Sequence, residues 1–522
     1  YEYELANEPV KITYPGGKSV SRTFDKDGRL ESVTDWLGST TKFGYDADSD
    51  QTSTTFPSAT ADVDQYAYED DDAMEATTMK KATEALASIE YSRNKDSQVT
   101  KATTKGLPGE EKPAFSYDEN SRLSKGAGVK YAYDGANNPT TLGSDTYAYN
   151  SADELEGATY KKETVTAYAY DELGERAKTT PSTGAATTYG YDQAGNVTSV
   201  TRPKSGETPA IADAYGYNGV GLRASQTIGA STSYMTWAEG EAVPRLLSDE
   251  ARSFIYGPGG VPIEQINNST GAVQYLHHDQ SGSTRLLTGS TGKTEATFTY
   301  GPYGELTGST GTATTPLGYD GQYRSSDTGL VYLRNRVYDP KTAQFLSVDP
   351  LVSISGAPYS YAGDNPLTYG DSVGLMWTPL AGGAGGADAA CGATIEIPGV
   401  DIGTCGAAGI ATGAAVVGAA VGVVTAIAGE EGGDEGEAEL KAKEAERENC
   451  GNPATPPGSK FEWKGKGPVG SNEGSWWDPD TRESLHPDLG HEEPIGPHYD
   501  YTAPDGSEYR IYPDGRIEPT KP

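Results

Sequence analysis

The chain has 522 residues, enough for several domains or one large repeat body. Only 35% of it is apolar, while 35 Tyr and 66 Gly point to many short strands joined by turns and away from helix bundles. A formal net charge of −34 excludes general phosphate binding by the whole chain and suits a surface that stays soluble outside a crowded cytoplasm.

The sequence opens at Tyr1 in mid-repeat with no initiator Met, which reads as a fragment and leaves any export signal unread. Three Cys in so long a chain make no disulfide framework. Cys391 and Cys405 can pair in an oxidising compartment, leaving Cys450 over. Three incidental thiols are the equal alternative.

From Tyr1 to about Phe254 one motif recurs: an aromatic, an acid or Asn, a turn, and a polar β-prone run. Its heads include Phe24-Asp25, Tyr45-Asp46, Tyr68-Glu69, Tyr117-Asp118, Tyr133-Asp134, Tyr149-Asn150, Tyr170-Asp171, Tyr191-Asp192 and Tyr217-Asn218, with Tyr91 heading a degenerate copy. Heads fall 16 to 26 residues apart, the period of a repeat architecture. Each unit reads as one hairpin. In residues 187–201, Tyr189 and Tyr191 share a face, and Asp192 to Asn196 supply the turn, with Gly195 and Asn196 suited to φ > 0. A lone hairpin is unstable, so hairpins must stack edge to edge into a growing sheet. Met74–Ala87 breaks the pattern and reads as a helical insertion.

These repeats resemble the YD repeats of the Rhs family and of teneurin-like and toxin-complex shell proteins. The resemblance implies a mainly β fold, a strip of hairpins spiralling into a hollow shell over residues 1–254. Each repeat Tyr and Asp is then a packing or turn residue.

Residues 255–375 are denser in motifs: Tyr275 to Ser283, Gly329 to Pro340, Gln344 to Pro350 and Tyr359 to Pro366. They resemble the Rhs repeat-associated core, which closes the shell. His277 and His278 have no Cys or further His nearby and read as core residues. In that family the core ends in Pro-x-x-x-x-Asp-Pro-x-Gly-Leu and is cut after the Leu. Pro366, Asp371, Gly374 and Leu375 match, with Ser372 where the family has Pro, so the cut bond is Leu375–Met376. The resemblance implies aspartyl-protease-like self-cleavage by Asp349 and Asp371, with Asp339 and Asp364 as lesser candidates. Peptide hydrolysis near neutral pH needs one carboxylate as base and one carboxylic acid. Two carboxyls held close in a low-dielectric wall divide those roles, because both cannot ionise. On the residues alone, without that resemblance, Asp349 and Asp371 read first as turn residues closing the shell.

Residues 376–450 form a connector. Within it, 403–429 run uncharged, long enough to span a bilayer as a helix but dominated by Ala and Gly. The segment reads either as a transient membrane contact during delivery or as a linker packed inside the shell. Glu430–Asn449 is a solvated spacer, helical from about Ala438.

Residues 451–522 read as a small α+β cargo domain behind a Pro/Gly linker. Three of the chain's five His, His486, His491 and His498, lie within one short run. The end reads as a meander of His498–Thr502, Ser507–Tyr512 and Arg516–Glu518. Pairing Tyr499 with Tyr509 sets His498 opposite Arg510 and Asp500 opposite Glu508 on one polar face. Imidazole, guanidinium and carboxylate together suit phosphodiester chemistry without a metal. The run WWDP…LHPDLGHEEPIGPHYDY…YRIYPDG resembles C-terminal toxin domains of bacterial polymorphic toxin systems, most closely the type 37 group of predicted RNases. The matching residues are His498, His486 or His491, Asp500, Arg510, and Lys464 or Lys466. Against this, the segment carries 7 Lys+Arg and 13 Asp+Glu, so an RNA site has to be a local patch.

Two alternatives stay open for the cargo: the three His with Asp488 or Asp500 holding Zn or another divalent ion, and a small non-enzymatic binding module. The expected whole is a secreted or cell-surface toxin whose shell encloses and releases a nuclease acting in the target-cell cytoplasm in interbacterial competition. No cofactor is expected. The expected partners are a cognate immunity protein, RNA or DNA as substrate, and a secretion apparatus. The rival is a surface YD-repeat adhesion or structural protein with an inert tail.

Overall fold

The computed structural model describes residues 1–380 apart from 5–7, 162, 205–209, 240 and 242. Beyond these it describes 462–466, 473–477, 479, 484–488, 498–502, 508–511 and 517–519. By its contacts the chain divides into two units, Tyr1–Val424 and Thr425–Pro522. The expected helix from about Ala438, the uncharged run 403–429, all three Cys and His491 lie outside the described residues.

The repeat chemistry explains the hairpins. At the head Tyr191-Asp192, the Asp192 carboxylate accepts the N–H groups of Ala194 (2.9 Å) and Asn196 (3.0 Å). Gly195 sits at φ +76°. Asn196, expected to take φ > 0 as well, is not left-handed and instead donates its side-chain amide to Asp192 at 3.1 Å. The same two-and-four reach recurs at Asp25, Asp118, Asp134 and Asp171, and at Asn150 and Asn218. A short side chain with one well-placed oxygen builds this turn, which is why the head is Asp or Asn. The preceding Tyr works at longer range. The hydroxyls of Tyr45, Tyr68, Tyr117, Tyr149, Tyr191 and Tyr217 donate to the carbonyls of Leu30, Gln51, Val99, Pro139, Arg176 and Val197, at 2.7–2.9 Å. Each repeat is thereby tied to an earlier one, and the strip grows in one direction.

The strands pair strictly with their sequence neighbours, all antiparallel, in a ten-stranded sheet (residues 2–105), a 13-stranded sheet (115–234) and an eight-stranded sheet (236–311). Four short strands between Tyr323 and Phe345 and a hairpin of Tyr369–Gly370 with Thr378–Pro379 complete the first unit. Met74–Ala87 is not helical: Met74–Lys81 and Glu84–Arg93 are paired strands joined by a turn with Ala82 at φ +52°. Met74 and Met79 are fully buried, and Met74–Lys81 is paired on both sides. Tertiary pairing overrides local helix preference here.

The strip curls back on itself. Ile12, Val20, Val33 and Phe43 of the first sheet pack with Leu247, Ile255 and Ile263 of the third. The buried His277 joins the two sheets, its Nδ1 at 2.8 Å from Asp64 and its Nε2 at 2.9 Å from Thr288, whose hydroxyl donates to Asp62 at 2.7 Å. Burial pushes the neighbouring His278 down to about 3. Both histidines are core residues, as their isolation in the sequence suggests. Residues 317–346 plug the second sheet: Leu330, Tyr332, Val337 and Leu346 pack on Val197, Val200 and Tyr215. A cavity of about 910 Å³ lies between the sheets and this plug, with Ile89, Tyr131, Arg285, Asp339, Pro366 and Leu380 in its wall.

In the second unit the described residues form a six-stranded antiparallel meander from Glu462–Gly465 to Ile517–Pro519. Only strands are found among them, so the helix that an α+β cargo requires does not appear in the described residues. Trp476 and Leu485 are buried, and Trp463 stacks edge-on to Trp476 with centroids 5.4 Å apart.

Candidate active site

The seam is built on the turn between Val331–Tyr332 and Val337–Asp339. Leu333 N–H closes onto Arg336 O at 3.0 Å, with Arg334 at φ +68°. The turn aims Arg336 inward, where its guanidinium lies 3.7 Å from the Phe345 ring centroid. Asp349 anchors the single helical turn Val352–Ser355, accepting Leu351 N–H at 2.7 Å and the Ser355 hydroxyl at 3.2 Å. Asp371 follows the strand Tyr369–Gly370 and folds the chain over itself, accepting the N–H groups of Gly374 (2.7 Å) and Leu375 (3.1 Å). Gly374 sits at φ +73°, and a Cβ there would meet Leu333 O at 2.8 Å and Arg336 N at 3.0 Å. Only glycine suits that position.

These pieces bring Asp349 and Asp371 to one nitrogen. Arg336 Nη2 lies 3.3 Å from Asp349 Oδ2 and 3.5 Å from Asp371 Oδ2, and Nε donates to Gly374 O at 2.5 Å. Nη1 is buried with no hydrogen-bond partner among the described residues. All three side chains are buried. Burial pushes the Asp371 carboxyl up to about 6 against the pull of Arg336 and the two N–H donors, and Asp349 adds to the rise. Burial raises Asp349 too, again opposed by Arg336, and it lowers the guanidinium. One cation does not fully compensate two buried carboxylates, so both proton affinities are raised.

Leu375 is buried, Met376 is half-buried and Trp377 is exposed, set edge-on to Tyr369 with centroids 4.5 Å apart. The Leu375–Met376 bond thus sits in a loop tied at its base by Gly370 paired with Thr378. The lesser candidates lie elsewhere. Asp339 pairs with Arg176 at 2.9 Å. Asp364 is buried, with its Oδ1 unpartnered among the described residues. Arg336 was not singled out by the sequence reading. Its one signal is a cation facing a strand position between Leu333 and Val337 that otherwise belongs to the core.

In the second unit the expected hairpin register is wrong by two residues. Tyr501 pairs with Tyr509, Asp500 with Arg510, and Thr502 with Glu508. His498 faces Asp488, and His486 faces Asp500. A two-residue slip keeps every side chain on its face, so alternation alone cannot detect it. One row across four strands therefore reads His486, Asp500, Arg510, Glu518. Arg510 Nε lies 3.9 Å from Asp500 Oδ1. His486 Nδ1 donates to Gly474 O at 2.8 Å, which leaves Nε2 as the basic nitrogen. His498 is two residues along the Asp500 strand, and only its backbone is described. Lys464 is exposed, its amine 5.2 Å from the Trp477 centroid, and Lys466 is exposed as well.

The hairpin strip resembles YD-repeat shells over part of its length. The family model of the teneurin YD-shell matches residues 246–356, and that of the RHS repeat matches residues 170–207. The tRNA3(Ser)-specific nuclease WapA of Bacillus spizizenii is 30% identical over 204 residues, covering 36% of this chain and 8% of its own length. Salivary gland surface protein 1 of Aedes aegypti is 35% identical over 131 residues, covering 24% of this chain and 4% of its own length. The crystal structure of TcdB2-TccC3-TEV is similar with a TM-score of 0.47 at 16% identity, over 69% of this chain and 21% of that one. Over the two stretches that the family models match, the chain is similar to teneurin YD-shell and RHS-repeat proteins, as its repeats and core motifs suggest. It spans under a tenth of the length of the two curated relatives.

Proposed function

We propose that the chain is the shell and cargo of a secreted interbacterial toxin, whose core cuts Leu375–Met376 and frees a C-terminal nuclease. The observation that carries this reading is that Asp349 and Asp371 meet one buried guanidinium nitrogen, with Asp371 also accepting the Leu375 N–H. The pair shares one proton. The ionised carboxylate takes a proton from water as its oxygen adds to the Leu375 carbonyl carbon. The protonated partner gives its proton to the Met376 nitrogen, the C–N bond breaks, and a Leu375 carboxylic acid, which then loses its proton to solvent, and a Met376 amine result. The buried Nη1 of Arg336 is a donor available to the developing oxyanion. The shell holds the cut cargo until it opens in the target cell.

For the cargo, the row His486, Asp500, Arg510 supports phosphodiester cleavage, with His486 as proton carrier and Arg510 steadying the phosphorane charge. His498 and His491 remain second candidates for the other proton. RNA is the proposed substrate and cleavage the proposed metal-independent reaction. A cognate immunity protein would bind this face, and a secretion apparatus would deliver the shell. The nuclease name of the Bacillus relative supports the class of activity. Residues 376–522, incubated with total RNA and with DNA, should degrade RNA equally with and without a chelator. His486→Ala should lower the rate roughly 10²- to 10⁴-fold. Loss of activity on chelation would favour a metal-dependent nuclease instead.

The likeness to a surface protein favours a second reading, a non-enzymatic surface shell with an inert tail. An uncut chain and a harmless tail would establish it.

A further inference from the structure

Three consecutive residues of the seam turn each hold one of three consecutive carbonyls just before the Leu375–Met376 bond. Arg334 Nη1 donates to Ser372 O at 2.7 Å. Asn335 donates twice to Val373 O, from Nδ2 at 2.9 Å and from its backbone N–H at 3.2 Å. Arg336 Nε donates to Gly374 O at 2.5 Å. Arg334 is itself fixed, since its Nε donates to Pro244 O at 2.9 Å and its Nη1 also bonds Gln322. The approach is close enough that Gly374 has no room for a Cβ.

These contacts read backbone carbonyls, and their one side-chain demand is the bare Cα of Gly374. Such a device counts residues instead of recognising them. A Pro at 372 lacks only the N–H, which the contacts do not use, and keeps the carbonyl, which they do. Ser372 and Pro therefore serve equally well. The contacts also lie wholly on the acyl side of the bond. The downstream side is held through the Gly370–Thr378 pairing, the Leu380 N–H on Thr368 O at 2.8 Å and the edge-on contact of Tyr369 with Trp377.

We propose that residues 334–336 form a carbonyl clamp, with Asn335 as its positioning residue, that sets which bond is cut by backbone register and retains the new C-terminal end afterwards. The clamp rests on the self-cleavage reading above. Because the clamped end stays in place, each molecule cuts once and does not accept a second peptide.

The test uses the full chain, synthesised cell-free, captured in urea and refolded by dilution into buffers from about pH 4.5 to 7.5. Cleavage is followed on denaturing gels, and the new termini are read by mass spectrometry. N335A should slow cutting roughly five- to tenfold at every pH, the worth of one hydrogen bond. N335D should be as slow at about pH 7.5 and should recover toward the wild-type rate at acid pH, where its protonated carboxyl donates to Val373 O again. N335A should lower the melting temperature of the D371N chain by no more than the few degrees that one hydrogen bond is worth. Wild-type rates in both Asn335 variants, with D371N uncut, would overturn the clamp alone. So would a large loss of stability without acid recovery of N335D, which would make Asn335 merely structural. An uncut wild-type chain, or a cut D371N chain, would overturn the self-cleavage reading itself.

Discussion

Arg336 holds Asp349 and Asp371 through a single nitrogen, and Gly374 lets the loop before the Leu375–Met376 bond lie against the turn that carries Arg336. Gly374→Ala should therefore cut at least tenfold more slowly in the same gel measurement, since its Cβ would have to displace Leu333 O or Arg336 N. The two carboxylates were legible from the motif in which they sit, because the order of Asp, Gly and Leu is local. Arg336 was not, since a buried cation in a strand pattern looks like an interruption of the core until the carboxylates it faces are in place. Asp364 offers a second residue-scale test. Burial pushes its carboxyl up to about 8, so the folded chain holds a proton there that the unfolded chain, with an ordinary carboxylate, has released by about pH 5. Asp364→Asn should leave the melting temperature unchanged at about pH 4 and raise it at about pH 8, by the equivalent of a few kcal/mol.

At the scale of one repeat, the Asp turns and the Tyr holds. Asp192→Ala removes the acceptor of two backbone N–H groups and one amide, and should lower the stability of the first unit by roughly 1–2 kcal/mol in a denaturant titration. Phenylalanine at Tyr191 should cost about 1 kcal/mol by freeing the Arg176 carbonyl. Both roles are written into sequence at fixed offsets, which is why the hairpins were legible. Met74–Ala87 was misread for the opposite reason. Its residues favour a helix in isolation, and only the strands Asp62–Tyr68 and Glu84–Arg93 on either side impose extension. The cargo hairpin failed differently: its face was fixed by alternation, but its register is set across three strands at once, by His486 against Asp500 and Asp500 against Arg510.

Across the first unit, several carboxyls at the joints between sheets and plug carry raised proton affinities. Asp320 is pushed up to about 7 where Tyr361 donates to it, Glu175 to about 7 beside Asp171, and Asp213 to about 6 where Arg202 joins it to Asp327. Burial is the first cause in each case. Groups of this kind bind more protons folded than unfolded, so stability falls as pH rises from the ordinary carboxylate range through each raised value. The shell should melt highest near pH 5 and lose stability progressively toward pH 8.

The central claim is that the seam cuts its own chain, and the direct measurement is the N-terminal residue of the C-terminal fragment after expression of the full chain. The account predicts two pieces meeting at Leu375 and Met376, with D371N and D349N each giving a single intact chain. An intact wild-type chain, or the same two pieces from D371N, would contradict it.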